Sequence, residues 1–291
     1  MILILGTIFA GLLGLAFGSF LNVCLSRWPE GESIALPRSH CRQCGRTLTW
    51  WENIPLLSWL ALRGRCRTCR AWIGWRYPLV ELAVGLLWLE CWLRFAWPAI
   101  LDASTPALAF GTVEAIGCAV FLWILVGLAV LDAEHFWLPD IVTLPAIVLG
   151  AVFWVLRARF KYPIPDHPQS ILKLLGGFSL AVVLAAGLIL LIRWVYWLVR
   201  RREGIGLGDA KLMALLAAWL GLPGALLAFG LGVLLGALAA VILLVVLSMR
   251  RDSGSWAMSK LPLGTFLCIG GIVSSLWGEQ LIAAYLRWAG F

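Results

Sequence analysis

Long apolar runs alternate with short polar stretches along most of this chain. The first run covers residues 2–25, and others follow at about 77–97, 108–131, 141–156, 170–199, 210–222, 224–249 and 263–285. Most approach or exceed the roughly 18 apolar residues that a helix needs to cross a bilayer. The run at 210–222 is the shortest and ends at Pro223. The pattern therefore predicts an all-α polytopic membrane protein with about eight transmembrane helices. No basic residue precedes the first run and no small-residue cleavage site follows it, so it reads as a retained helix, residues 1–26. One polar segment is too long for a turn. Residues 27–76 form an Arg-rich, Cys-containing insert, read as a small domain of its own, with 77–291 as the membrane domain.

Composition strengthens this reading. The chain is 62% hydrophobic and 13% charged, whereas a soluble domain is about half apolar and a quarter charged. The formal net charge of +8 points to cytoplasmic loops, since Lys and Arg concentrate there in membrane proteins. With eight spans, 27–76, 132–140, 193–211 and 249–260 share one side and carry most of the 23 Lys and Arg. That side is expected to be cytoplasmic, with both termini outside. Arg157, Arg159 and Lys161 fall on the opposite side, in a polar stretch over 157–169. Lipid is an expected partner, and nucleic acid is not. The pairs Gly14-x-x-x-Gly18 and Gly232-x-x-x-Gly236 predict close helix packing.

Eight cysteines change the picture of the insert. Cys41-Arg-Gln-Cys44 and Cys66-Arg-Thr-Cys69 are two C-x-x-C knuckles at the separation of a four-thiolate zinc site. Gly45 suits the tight turn after the first pair. Disulfides would need an oxidising compartment, and free or redox-active thiols are the remaining alternative. Four cysteine ligands would leave no open coordination position, so the metal's expected role is to fold a segment too small for its own core. Cys24, Cys91, Cys118 and Cys268 lie in apolar runs and are expected to pack as small hydrophobes.

Acidic groups at membrane boundaries are costly and read as functional. Asp132 ends one apolar run and Asp209 opens another, in Glu203-Gly-Ile-Gly-Leu-Gly-Asp-Ala-Lys211. Two carboxylates that approach one another share a proton and can divide acid and base work. The helix macrodipole would make Asp209, at an N-terminus, the resting base and Asp132, near a C-terminus, the resting acid. Gly206 and Gly208 would leave backbone open for a substrate strand. Lys211 is a helix-start or site-supporting residue. For Asp140, after Leu-Pro, a helix cap is the simpler reading, as solvated loop positions are for Glu134 and His135.

The order of these motifs resembles the type IV prepilin peptidases, bacterial Gly-x-Gly-Asp membrane aspartyl proteases, over nearly the whole chain. The resemblance rests on Gly18-Ser-Phe-Leu-Asn-Val23, Gly31-Glu-Ser33, Pro37-Arg-Ser39 and Cys41-x-x-Cys44. It continues through Trp51-Glu-Asn-Ile-Pro-Leu-Leu-Ser58, Arg63-Gly-Arg-Cys-Arg-x-Cys69, Arg76-Tyr-Pro-Leu-Val-Glu81, Leu131-Asp132, Leu138-Pro-Asp140 and Gly204–Lys211. It implies an enzyme of the bacterial inner membrane that cuts the basic leader from prepilin and pseudopilin precursors at the cytoplasmic face. It further implies N-methylation of the new N-terminus with S-adenosylmethionine. On this resemblance Asp132 and Asp209 are the proteolytic pair, and the insert, with Gly64, belongs to methyl transfer and metal binding. Glu30, Glu32, Glu52, Glu81, Glu134 and Asp140 are the acids that could receive a basic leader. A protease without methylation, a transporter, or a tethered zinc module are the alternatives. A transporter usually shows an internal repeat, which is not visible, and a zinc module leaves Asp209 unexplained.

Overall fold

The computed structural model describes residues 2–161, 168–202, 206–249 and 261–290. Parts of the expected loops at 157–169 and 249–260, and Glu203 to Ile205 of the glycine motif, lie outside the described residues. Two compact units divide the chain, Met1–Gly127 and Leu128–Phe291.

In the first unit, α1 (Ile2–Arg27) packs on α3 (Arg76–Cys91). Bare backbone makes that contact. A Cβ on Gly18 would lie 2.7 Å from the Cα of Glu81, and one on Gly14 would lie 3.0 Å from the Cα of Gly85. The small-residue spacing at Gly14 and Gly18 is thus used as expected. A single π turn, Trp92–Ala96, joins α3 to α4 (Trp97–Asp102), so the helix expected at 77–97 is a rod over 76–102. Pro98, which has no N–H to donate, follows that turn. The start of α5 (Thr105–His135) completes the unit, with the indole N–H of Trp123 donating to the Phe17 carbonyl at 3.0 Å.

Between α1 and α3 lies the insert, with the short helix α2 (Leu57–Ala61). Among the described residues it has isolated β-bridges but no named strand. The bridges, His40 to Thr47 and Arg65 to Trp72, close the two cysteine knuckles.

In the second unit the end of α5 joins α6 (Asp140–Lys161), α7 (Pro168–Arg200), α8 (Leu207–Met249) and α9 (Leu263–Trp288). Helix α8 is broken at Gly221, whose φ of 70° and ψ of 175° leave the helical region just before Pro223. This separates the two apolar runs read from the sequence. Six described helices are long and apolar enough to cross a membrane. The other two segments of the expected eight are the 76–102 rod and the shorter half of α8. Two boundaries move: α5 runs on through Asp132 to His135, and α6 carries Arg157, Arg159 and Lys161 in its last turns. Ile4, Val183 and Leu234 are examples of large apolar side chains left on the helix surfaces, where lipid rather than water is the matching solvent.

Candidate functional site

The starts of three helices and the end of a fourth build one site in the second unit. Asp132 sits in the last turn of α5 and is only 6% exposed. A buried carboxylate must be hydrogen-bonded, and the start of α9 supplies the donors. The backbone N–H of Thr265 donates to Asp132 Oδ2 at 2.7 Å, and the Thr265 hydroxyl lies 3.2 Å from the same oxygen. That hydroxyl is also 3.0 Å from the Ala129 carbonyl, one turn back on α5. Gly264 leaves room for this approach, because a Cβ there would fall 2.9 Å from Asp132 Cγ.

Asp209 is half-buried in the first turn of α8. Its Oδ2 accepts the Gly206 N–H at 3.2 Å, folding the turn back on the carboxylate. Gly208 lies inside α8, and a Cβ there would sit 3.3 Å from Leu138 Cδ1. Its missing side chain therefore admits Leu138. A Cβ on Gly264 would likewise come within 3.1 Å of Leu138 Cδ1, so one leucine is seated against the starts of both α8 and α9. Asp132 and Asp209 are near enough for the charge of one to act on the other, and both act on the buried Cys268.

The distinction drawn from helix ends does not survive this geometry. Asp132 is at the C-terminal end of α5 but also accepts a donor from the N-terminal turn of α9. Each carboxylate thus faces a helix N-terminus, and the macrodipole no longer separates an acid from a base. Lys211 is placed as well: its ammonium lies 2.6 Å from Asp140 Oδ1, at the first residue of α6. Asp140 thereby ties the start of α6 to α8, a tertiary role beyond the local cap expected for it. Glu134 and His135 are exposed, but in the last turn of α5 rather than a loop.

The metal-ligand cysteines form a second centre, in the first unit. The sulfurs of Cys41, Cys44, Cys66 and Cys69 all lie within 4.8 Å of one another, and none is in a disulfide. Cys41 Sγ and Cys69 Sγ are 3.7 Å apart. A tetrahedral ion with metal–sulfur bonds of about 2.3 Å sets sulfur–sulfur edges near 3.8 Å, so the four thiols fit a metal ion. The knuckles are built alike: Gly45 N–H donates to the Cys41 carbonyl, and Arg70 N–H to the Cys66 carbonyl. Backbone N–H groups of Cys69 and Thr68 aimed at Cys66 pull its thiol down to about 6. Cys69 is pushed up to about 11 despite a backbone bond from Ala71, through burial and the neighbouring thiols. A cluster that loses one proton easily and the next reluctantly is relieved by a dication.

Gly64 lies in the same insert, with φ at +67°, and a Cβ there would meet the rings of Trp59 and Trp72 at 2.8 Å. Cys24, Cys91, Cys118 and Cys268 are buried in helices, as their apolar setting implied.

Sequence reasoning missed Gly264 and Thr265. Pro262 and the apolar run after it marked a helix start, but nothing local shows that this start meets residue 132. Glu52 and Glu81, two of the six acids named as candidates for a basic leader, are both buried. Glu52 is buried against Arg46 and the Thr49 N–H and hydroxyl, while Glu81 accepts the Leu56 N–H at 2.8 Å.

Comparison with known proteins covers the segments that carry both centres. Residues 12–95 match the Bacterial Peptidase A24 N-terminal domain, and residues 119–241 match the Type IV leader peptidase family. A prepilin leader peptidase/N-methyltransferase of Pseudomonas putida is 35% identical, covering 97% of this chain and 94% of the relative. A protein of the same name from Pseudomonas aeruginosa is 35% identical over 96% of this chain and 93% of its own length. Another from Myxococcus xanthus is 39% identical, over 73% of this chain and 56% of the relative. No solved structure matches the chain.

Proposed function

Because this chain belongs to the type IV leader peptidase family, we propose that it removes the leader of prepilin and pseudopilin precursors and N-methylates the new N-terminus. Asp132 and Asp209 carry out the cleavage. The observation that supports this most is their convergence, from the end of α5 and the start of α8, to interacting distance. One carboxylate, ionised, takes a proton from water as its oxygen bonds to the scissile carbonyl carbon. The other, protonated, gives its proton to the carbonyl oxygen. When the tetrahedral intermediate collapses, the C–N bond breaks and the leaving nitrogen takes up a proton. Thr265 fixes Asp132 for this work, and Gly206 orients Asp209.

The peptide must be extended to be cut, since helical carbonyls are already bonded. Gly206, ahead of α8, has no side chain to obstruct such a strand, although its own N–H is held by Asp209 Oδ2; Gly208 lies within the helix. The multi-pass chain lies in the bacterial inner membrane, with both centres facing the cytoplasm, consistent with the Arg-rich insert.

Cys41, Cys44, Cys66 and Cys69 hold a structural zinc ion. Four thiolates leave no position for a reacting group, so its contribution is to close the two knuckles together. S-adenosylmethionine, when bound, supplies the methyl group. The cut exposes an α-amine whose lone pair accepts that methyl once the nitrogen has lost a proton.

Purified full-length protein incubated with a prepilin peptide, with and without S-adenosylmethionine, tests this reading by product mass. The expected products are a peptide shortened by its leader in both cases and a further 14 Da only with the donor, the mass of about one CH2. An uncut peptide, or a cut at another bond, overturns it.

A further inference from the structure

A cavity of about 380 Å3 opens in the first unit between the insert, the end of α1 and the start of α3. Its size is within the roughly 300–1,000 Å3 of small-molecule sites. Two features of its lining call for a ligand. Asn22 is 2% exposed, and its amide nitrogen donates to the Tyr77 carbonyl at 2.9 Å. That bond fixes the amide's orientation, and it leaves Oδ1 buried with no partner among the described residues. A buried acceptor without a donor costs about 1–3 kcal/mol, so a ligand donor that reached it would be favoured. Glu81 is the second feature, at 8% exposure. The Leu56 N–H and the Ser19 side chain satisfy part of its carboxylate; it is in no ion pair among the described residues, while Arg27, Arg42 and Arg67 line the same cavity. Trp59 and Trp72 also line the cavity.

The arrangement thus offers a hydrogen-bond acceptor, a carboxylate outside any ion pair among the described residues, guanidinium groups and a pair of indole rings. A ligand that matches it carries N–H donors, both a positive charge and a carboxylate, and a planar ring. We propose that this cavity is the binding site for S-adenosylmethionine, with Asn22 Oδ1 accepting a ligand N–H, Glu81 facing its positive charge, the arginines of the lining facing its carboxylate and the Trp59–Trp72 pair forming one wall beside the purine. The proposal rests on the methyl-transfer reading above. It also gives Gly64 a task. Gly64 does not line the cavity, but any side chain there presses on Trp59 and Trp72, so it is a positioning residue for their rings. The cavity borders the metal cluster too, because Cys41 and Cys66 contribute to its lining. In the reaction the substrate nitrogen's lone pair bonds to the methyl carbon and the C–S pair returns to sulfur. S-adenosylhomocysteine, now neutral, leaves, and the methylated ammonium gives a proton to water.

Equilibrium binding of labelled S-adenosylmethionine to the full-length protein in nanodiscs tests the assignment, with leader cleavage as the control for folding. Asn22→Leu and Glu81→Gln are each expected to weaken binding by ~10-fold or more, the range for losing a hydrogen bond to a charged partner or leaving a buried ligand donor unmet. Glu81→Gln should weaken the sulfonium more than the neutral S-adenosylhomocysteine, while leader cleavage continues. Independently of any substitution, ultraviolet cross-linking of the donor to the wild type should label peptides containing Trp59 or Trp72. Affinities within twofold of wild type in both variants, or label confined to 128–291, would place the donor elsewhere and overturn the proposal, while methylation by the wild type left the function intact. Binding of a mature-pilin N-terminal peptide that depends on Asn22 and Glu81, with donor affinity unaffected, would assign the cavity to the substrate amine and overturn it also. A wild type that cleaves but neither binds the donor nor methylates would overturn the methyl-transfer reading itself.

Discussion

Thr265 holds Asp132 from a separate helix, with its N–H 2.7 Å from Oδ2 and its hydroxyl 3.2 Å from that same oxygen. The start of α9 thereby becomes part of the catalytic apparatus, although it carries no acid or base of its own. Replacing the hydroxyl while keeping the shape isolates its share. Thr265→Val should lower kcat for leader cleavage by ~10-fold or more, the range for a hydrogen bond to a charged group. Thr265→Ser should restore most of it. Rates measured with one prepilin peptide check both, and equal rates for valine and threonine would remove the residue from the site.

Gly264 tests the same relationship by steric means. Gly264→Ala places a methyl group 2.9 Å from Asp132 Cγ, so the carboxylate has to move. Displacement on the order of 1 Å costs about 100-fold in rate. Cleavage should fall by that order while methylation of a pre-cut peptide continues. The two activities, measured separately on one preparation, decide it.

Part of this design is legible along the chain and part is not. The apolar runs mark the helices because a bilayer demands long uninterrupted ones. Two C-x-x-C pairs carry their own geometry, and Asp209 is flagged by its glycines. Thr265 was not legible, because its partner is 133 positions away and threonine before an apolar run is unremarkable. Glu52 and Glu81 look like any surface acids; only packing shows that one is paired and the other is buried beside a cavity. The break at Gly221 and the extension of α5 through Asp132 belong to the same class, since tertiary contacts settle where a helix ends.

Metal removal separates the two units chemically. The insert's knuckles close around four sulfurs, so Cys41→Ser with Cys66→Ser should drop bound zinc from about one ion per chain to near none. Methylation should be lost with it, and leader cleavage should survive, as the aspartates lie in the other unit. Metal analysis by mass spectrometry beside the two assays checks this.

The Arg46–Glu52 pair gives the insert a pH signature. The Arg46 guanidinium, with the Thr49 donors, holds the Glu52 carboxyl down at about 2, from an ordinary 4.5. A depressed carboxyl contributes stability that is fully present above the unfolded value and is lost as pH falls toward the folded one. The stability difference between wild type and Glu52→Gln should therefore be level from neutrality to about 4.5 and shrink between about 4.5 and 2. Thermal unfolding of the insert followed by tryptophan signals tests the sign. A difference that grows on acidification would contradict it.

Asp132 and Asp209 act as one unit in this account, sharing protons across the reaction. The most direct measurement is the rate of leader cleavage by Asp132→Asn, by Asp209→Asn and by the double variant, with one prepilin peptide. Each single change should cost at least ~1,000-fold, and the double variant should be little slower than either, because groups that work together are not additive. Cleavage near the wild-type rate by either single variant, or losses that multiply in the double, would contradict the two-aspartate mechanism.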